Sequence, residues 1–186
     1  MKKVFLLHAR AQSGKDTCAS IMKEFLESKN QRIITIAFAD YVKFALEKYY
    51  QITDYKSVEG RTKIQHFATD QVRKFDATFW AKTVAILLKA IEDDFDVAII
   101  TDWRFYNEYY ITKNYFSEQQ VIPVLITRPE NEKTDNMTDA QRKHQSESEL
   151  DNCNFFVYNI INEYGKLDST KQQLIKMIEK EVGNEY

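Results

Sequence analysis

The chain has 186 residues, of which 44% are hydrophobic and 29% charged, as expected of one globular domain with room for a small inserted lid. Its formal net charge of −2 disfavours a protein that binds nucleic acid polymers, because such proteins neutralise phosphates with excess lysine and arginine. No apolar run approaches a membrane span or a signal-peptide core. We therefore expect a cytoplasmic protein that contacts no membrane.

The order of apolar and polar segments predicts strands that alternate with helices. Strands are predicted at 4–7, 33–38, 97–101, 121–127 and 155–160. Helices with apolar residues at helical spacing are predicted from Lys15 and over 41–50, 62–75, 78–91, 105–114 and 168–182. This alternation indicates an α/β fold with a five-stranded parallel sheet. In such sheets, ligands bind at the carboxyl ends of the strands.

One long segment, residues 128–149, contains almost no apolar residues. It is too polar to pack into a core and too short to form a domain of its own. A mobile lid over a site and a solvated loop with one helix are both consistent with this composition.

Glycine is scarce, with four residues in the whole chain against the ~7% of an average protein. Each glycine is therefore expected where a side chain cannot be accommodated. Gly14 lies in the sequence HARAQSGKDT, residues 8–17, between the first predicted strand and the first predicted helix.

A strand, a tight loop and a helix in this order can bind the phosphates of a nucleotide. Loop amides and the helix N-terminus attract the anion, and a lysine, here Lys15, bridges the outer phosphates. The usual G-x-x-x-x-G-K-[ST] pattern has Ala9 in place of its first glycine and Asp16 after the lysine. A capped helix start after an ordinary turn is the alternative. The candidate ATP-binding residues are Ala11, Gln12, Ser13, Gly14, Lys15, Asp16 and Thr17.

Acidic and basic residues follow the third predicted strand. Asp102 ends this strand, where an acid can hold a water bound to Mg²⁺ or orient the attacking oxygen; a strand-ending turn residue is the alternative. Arg104 projects to the same edge. Glu108 is expected either to fix the Arg104 guanidinium as a bidentate pair or to be a solvated helix acid. The candidate magnesium ligands are Asp16, expected to act through water, Thr17 and Asp102.

Arginine usage also supports a polyphosphate site. The chain has only seven arginines, and guanidinium groups match phosphate oxygens bidentately. Six of them lie in motif or lid segments: Arg10, Arg61, Arg73, Arg104, Arg128 and Arg142.

The loop S-G-K-D-T at 13–17 resembles that of the deoxynucleoside monophosphate kinases of phages and bacteria. Further segments are similar to that family in the same order: FADYVK at 38–43, ATDQVRKFDATFW at 68–80, ITDWRFYNE at 100–108, HQSESELD at 144–151 and NIINEYGKL at 159–167. The sequence departs from the family at Ala68, where glycine is usual, and at Trp103 and Tyr106 within a D-V-R-F-P-N-E pattern. These departures concern substrate preference more than the type of reaction.

The resemblance implies a three-layer P-loop kinase fold over residues 1–186, with acceptor-binding helices at about 40–93 and a lid at about 128–149. It also implies ATP and Mg²⁺ as cofactors, phosphoryl transfer to a (deoxy)nucleoside 5′-monophosphate, and a homodimer. Arg104 would hold the acceptor phosphate, while Arg128 and Arg142 would approach the transferring group from the lid. The implied catalytic residues are Lys15, Asp102, Arg104, Arg128 and Arg142. The implied acceptor-binding residues are Asp40, Lys43, Arg61, Thr69, Arg73, Trp80, Arg104 and Glu108.

Several of these roles have plain structural alternatives. Helix capping and solvation explain Asp40 and Lys43 equally well, and core packing is the favoured explanation for Trp80. Two other functions also remain open. One is a kinase of the same loop type that acts on another phosphorylated small molecule, such as phosphomevalonate. The other, suggested by Ala9, is a nucleotide-binding module without catalysis.

Overall fold

The computed structural model describes residues 1–129 and 138–183. Five strands form one sheet: β1 (Lys3–Ala9), β2 (Ile33–Ile36), β3 (Val97–Ile100), β4 (Val121–Thr127) and β5 (Tyr158–Ile161). The strand order is β2-β3-β1-β4-β5, and every neighbouring pair is parallel. The predicted α/β class with a five-stranded parallel sheet is confirmed.

Helices cover both faces of this sheet. They are α1 (Lys15–Ser28), α2 (Ala39–Tyr50), α3 (Val58–Gln65), a π-helix (His66–Arg73), α4 (Phe79–Ala90), α5 (Tyr106–Tyr115), α6 (Asp139–Lys143), α7 (Gln145–Ser148) and α8 (Leu167–Val182). Helices α1 and α8 pack on one face, and α4 and α5 pack on the other. The protein therefore has three layers. No described helix is long and apolar enough to cross a membrane.

Strand β1 is buried on both faces, as its continuous apolar run predicts for the centre of a parallel sheet. Phe5 and Leu7 pack towards α1 and α8, whereas Val4 and Leu6 pack towards α4. On α1, the predicted apolar stripe is confirmed, and Cys18 is fully buried in the core.

Several predicted elements differ in their bounds from the observed ones; the last strand, predicted at 155–160, is Tyr158–Ile161. In place of the single helix predicted over 62–75, the chain forms α3, which begins at Val58, and then the π-helix. A search for apolar residues at 3.6-residue spacing does not anticipate the wider turns of a π-helix. The strand predicted to reach Phe38 ends at Ile36, because the Phe38 amide donates instead to the Asp102 carboxylate at the start of α2.

Part of the predicted lid, residues 130–137, lies outside the described residues. The described remainder contains two short helices, α6 and α7, where one helix was considered. Gln141 of α6 is buried and donates from Nε2 to the Val58 carbonyl (2.8 Å) and to Thr62 Oγ1 (3.0 Å). The described part of the predicted lid is therefore attached to α3.

Candidate nucleotide site

The loop between β1 and α1 has the backbone of an anion-binding turn. Gln12 (φ 60°) and Gly14 (φ 80°) are left-handed, whereas Ala9 is the last residue of β1. Replacement of the first glycine by Ala9 therefore introduces no backbone strain. The first amides of α1, beginning at Lys15, have no acceptor within the helix and are available to an anion.

Gly14 is required by close packing as well as by its backbone conformation. A Cβ atom at this position would lie 2.2 Å from Asn162 Nδ2 and 2.8 Å from Arg128 Nη2. Asn162 Nδ2 donates a hydrogen bond to the Ser13 carbonyl at 2.8 Å. Glycine therefore lets the loop approach a side chain that holds it in place.

Asn162 is a residue of the loop's surroundings that the sequence did not single out, although it lies within the segment at 159–167. It is buried, follows β5 directly, and its Oδ1 accepts from Thr170 Oγ1. Arg128 donates from Nε to the Asn162 carbonyl (3.1 Å) and from Nη1 to the Gln12 carbonyl (3.2 Å). Arg128 thus joins the Gln12 carbonyl of the loop to the Asn162 carbonyl after β5, and it does not line the cavity.

Lys15 is half-buried at the start of α1 and lines the cavity. Burial, reinforced by the Arg104 charge, lowers the pKa of its ammonium group, while the Asp102, Asp16 and Glu147 carboxylates oppose this shift. An anion that enters the cavity would add to the effect of these carboxylates and stabilise the charged ammonium group of Lys15.

His8 lies beneath the loop at the end of β1. Its Nδ1 donates to the Trp103 carbonyl at 2.8 Å, and its ring stacks on Phe156. Burial lowers the pKa of His8 to about 4, so the imidazole is neutral at physiological pH. His8 therefore adds no positive charge next to the loop.

Asp102 lies at the predicted edge of the sheet and lines the cavity. Both carboxylate oxygens accept backbone hydrogen bonds at the start of α2, Oδ1 from Phe38 (2.7 Å) and Oδ2 from Ala39 (2.9 Å). Its role with Mg²⁺ stays a prediction.

Asp40, a predicted acceptor contact, instead accepts a hydrogen bond from the Ala37 amide (2.8 Å) and does not line the cavity.

Neither prediction for Glu108 matches the structure. Its side chain is buried, and Oε2 accepts from the amides of Arg104 (2.8 Å) and Phe105 (3.0 Å), which caps the start of α5. The Arg104 guanidinium instead bonds the Glu147 carboxylate and the Ser146 carbonyl. Burial, with the nearby Asp102 charge, raises the pKa of Glu108 to about 8.

A cavity of about 770 Å³ opens at the carboxyl ends of the strands, a volume within the range of small-molecule sites. Every predicted ATP-binding residue lines one end. Other predicted residues in its lining are Lys43, Arg61, Thr69, Arg73, Trp80, Asp102, Arg104 and Glu108. Trp80 is buried, as core packing predicts, and donates from Nε1 to the Ala68 carbonyl (3.1 Å). It also lies in the cavity lining, and its contact with an acceptor stays a prediction.

Arg142, like Arg128, is a predicted catalytic residue that is not part of the described cavity lining. Its guanidinium lies 3.1 Å from the Asp139 carboxylate on the exposed side of the short helix α6. Helix α6 is attached to α3 through Gln141, one residue before Arg142.

The donor atoms near the loop fit a magnesium ion that enters with a nucleotide. Among the described residues, no group of three or more His, Cys, Asp or Glu side chains could bind a metal. Mg²⁺ keeps most of its waters and binds phosphates with one or two protein ligands. Asp16 and Thr17, side by side in the first turn of α1, line the cavity, so their oxygen atoms would suit such a role, which stays a prediction.

Comparison with known proteins gives the fold. The sequence matches no protein-family model and no curated protein. The structure is similar to the APS kinase of Mycobacterium tuberculosis in complex with AMPPNP and APS (TM-score 0.51, 9% identity, 95% of this chain and 97% of that one). It is also similar to shikimate kinase from Acinetobacter baumannii in complex with shikimate (TM-score 0.51, 12% identity, 100% of this chain and 95% of that one). The chain has the P-loop kinase fold.

Proposed function

We propose that this P-loop kinase-fold protein transfers the γ-phosphoryl group of ATP to a (deoxy)nucleoside 5′-monophosphate, giving the diphosphate. One observation carries the proposal: a single cavity joins the phosphate loop to a second wall that contains arginines and an aromatic side chain, Arg61, Arg73 and Trp80. The family resemblance of the sequence supports the same substrate class. Two proteins with the same fold are named as kinases of small molecules.

At the donor end, Lys15 and the first amides of α1 would bind the outer phosphates of ATP. The complex of the similar APS kinase with AMPPNP supports ATP as the donor. Mg²⁺ would enter with ATP, held by phosphate oxygens, water, Asp16 and Thr17. When bound, it neutralises charge on the phosphates.

At the acceptor end, little covalent chemistry is required of the protein. The phosphate of a monophosphate is already ionised at neutral pH and needs no strong base, so positioning and charge neutralisation carry the rate. Arg61 and Arg104 would neutralise charge, while Thr69 and Trp80 would contact the nucleoside. Closure of the predicted lid, 128–149, would exclude water and limit hydrolysis of ATP.

The proposal is tested by measuring ADP release with Mg²⁺-ATP and, in turn, the four deoxynucleoside monophosphates, their ribose forms and phosphomevalonate. We expect acceleration by at least one nucleoside monophosphate, with the diphosphate as product. Acceleration by phosphomevalonate alone would identify the other kinase considered above. Tight ATP binding without transfer to any acceptor would favour a non-catalytic module and reject the proposal.

A further inference from the structure

Arg73 is an unusual arginine in the cavity wall. Its side chain is only 9% exposed, and its guanidinium stacks on the Phe105 ring at 3.5 Å from the ring centroid. Nη2 donates to Asn107 Oδ1 at 3.1 Å. Nη1 is buried and has no hydrogen-bond partner among the described residues. A buried, unpaired nitrogen of a cation is costly, so Arg73 has an unmet requirement for an acceptor.

The nearest acid, Glu108, does not meet this requirement. Its Oε1 lies 3.9 Å from Arg73 Nη1, which is beyond hydrogen-bond distance. The carboxyl group cannot move closer without losing the two amide hydrogen bonds made by Oε2 to the start of α5. Glu108 is therefore held beside Arg73 at a fixed distance, and the Phe105 ring holds the guanidinium plane.

We propose that Arg73 binds the 5′-phosphate of the acceptor through Nη1, and that Glu108 is a positioning residue that holds this guanidinium ready. This inference rests on the proposed function and names the anion subsite within it. A phosphate oxygen at Nη1 would complete the hydrogen bonding of Arg73. The planar guanidinium, already stacked and bonded, would lose little conformational freedom on binding.

Arg104, the residue first expected to hold the acceptor phosphate, is less suited to this role. Its Nη1 already bonds the Glu147 carboxylate and the Ser146 carbonyl. A substrate phosphate would have to displace a carboxylate to bind there. At Arg73, it would displace no hydrogen-bond partner from Nη1.

The first test compares Arg73→Gln with Arg32→Gln, a control at an exposed arginine that pairs with Asp96 far along the chain. With Arg73→Gln we expect the KM for the monophosphate to rise on the order of 10- to 100-fold, as for loss of a hydrogen bond to a charged group. AMPPNP affinity, measured by calorimetry, should stay within about twofold and also reports that the variant is folded. Arg32→Gln should change neither quantity.

The outcomes separate this inference from the proposed function. An unchanged monophosphate KM in Arg73→Gln, with normal turnover, would overturn the subsite and leave the function standing. If the wild-type protein binds monophosphates without phosphorylating them, the proposed function fails, and the same substitution then tests the subsite through the monophosphate affinity. Equal loss of AMPPNP and monophosphate binding would also overturn the inference, because the damage would be general.

A second test uses pH to separate positioning from a purely structural role of Glu108. Ionisation of the carboxyl group near pH 8 would place a negative charge beside the bound phosphate. The charged groups that face Glu108 are Arg73 on the π-helix and Asp102 at the end of β3; Glu149 also acts on Arg73. The monophosphate KM of the wild-type protein should rise several-fold from pH 7 to pH 9. In Glu108→Gln, which keeps an oxygen for the two amides, it should stay flat. Parallel rises in both proteins would refute the positioning role.

Discussion

At the donor end of the cavity, the loop at 8–17 packs against a buried side chain, Asn162, whose amide hydrogen-bonds the Ser13 carbonyl. At the acceptor end, no residue of the π-helix is fully buried, and Arg73 Nη1 lacks a partner among the described residues. The loop at the donor end is thus held in place by the protein itself, whereas at the acceptor end a buried guanidinium nitrogen still lacks a partner among the described residues. A preformed site binds its ligand with a small entropic cost. Substitutions at the donor end should change AMPPNP affinity or kcat, whereas substitutions at the acceptor end should change the KM for the monophosphate.

The largest effect is expected from Lys15→Met, which removes the cation at the donor end. Removal of one preorganised donor costs ~10²- to 10³-fold in kcat, and we expect a decrease near the upper value. Steady-state ADP release measures it. The control is Lys23→Met on the same helix, where the lysine is exposed and lies 3.7 Å from Glu27. Similar activity in the two variants would refute a donor role for Lys15.

Gly14→Ala and Gly165→Ala separate steric clash from backbone strain. Both glycines have positive φ, but a Cβ at Gly14 meets Asn162 Nδ2 at 2.2 Å whereas nothing lies within 4 Å at Gly165. Gly14→Ala should weaken AMPPNP binding about 100-fold, which corresponds to ~2.7 kcal/mol. Gly165→Ala should only lower the free energy of unfolding by about 1–2 kcal/mol. Equal losses of affinity would show that the packing around Gly14 is unimportant.

Asn162→Ala removes the side chain that holds the donor loop. The Ser13 carbonyl and Thr170 Oγ1 would each lose a partner, and a buried group left unsatisfied costs about 1–3 kcal/mol. We expect AMPPNP binding to weaken about tenfold, a change of ~1.4 kcal/mol, with no change in the monophosphate KM beyond twofold. Asn159→Ala is the control, because its hydrogen bond to Thr127 is exposed. A larger effect on the monophosphate than on AMPPNP would contradict the separation of the two ends.

The smallest effect is expected from Gln141→Ala, which detaches α6 from α3 at the acceptor end. Loss of the hydrogen bonds to the Val58 carbonyl and Thr62 Oγ1 should raise the monophosphate KM a few-fold, as for one or two neutral hydrogen bonds, and leave AMPPNP affinity unchanged. Titration of each ligand in Gln141→Ala and in the exposed control Gln119→Ala measures this. A change in AMPPNP affinity without a change in the monophosphate KM would contradict the assignment of α6 to the acceptor end.

The donor end could be predicted from the sequence because its signals are local. Four apolar residues, a short loop with S-G-K and an apolar helical stripe lie within 25 positions, and each has one simple structural meaning. Asn162 was missed because it lies 149 positions from Ser13, the residue it holds. The available signal was its position directly after an apolar strand, at the edge of the sheet where ligands bind.

The acceptor end was predicted less well because its interactions depend on helix geometry. A uniform helix over 62–75 misses the π-helix, whose backbone turn differs from that of an α-helix. For Glu108, both predictions considered only its charge, although its place three residues after the Phe105 cap is that of an acid that reaches back to backbone amides. The catalytic role of Arg142 was inferred from the resemblance, and no local pattern indicated its pairing with Asp139 on α6.

The rate at which Cys18 is alkylated would measure how often the structure around α1 opens. Its thiol on α1 is fully buried in the core between this helix and the sheet, and burial raises its pKa to about 11. A thiol reagent needs an exposed thiolate. Alkylation must therefore wait until α1 lifts away from the sheet, so the labelling rate reports how often that layer opens. Because a nucleotide would bind at the first turn of the same helix, saturating AMPPNP should slow the modification.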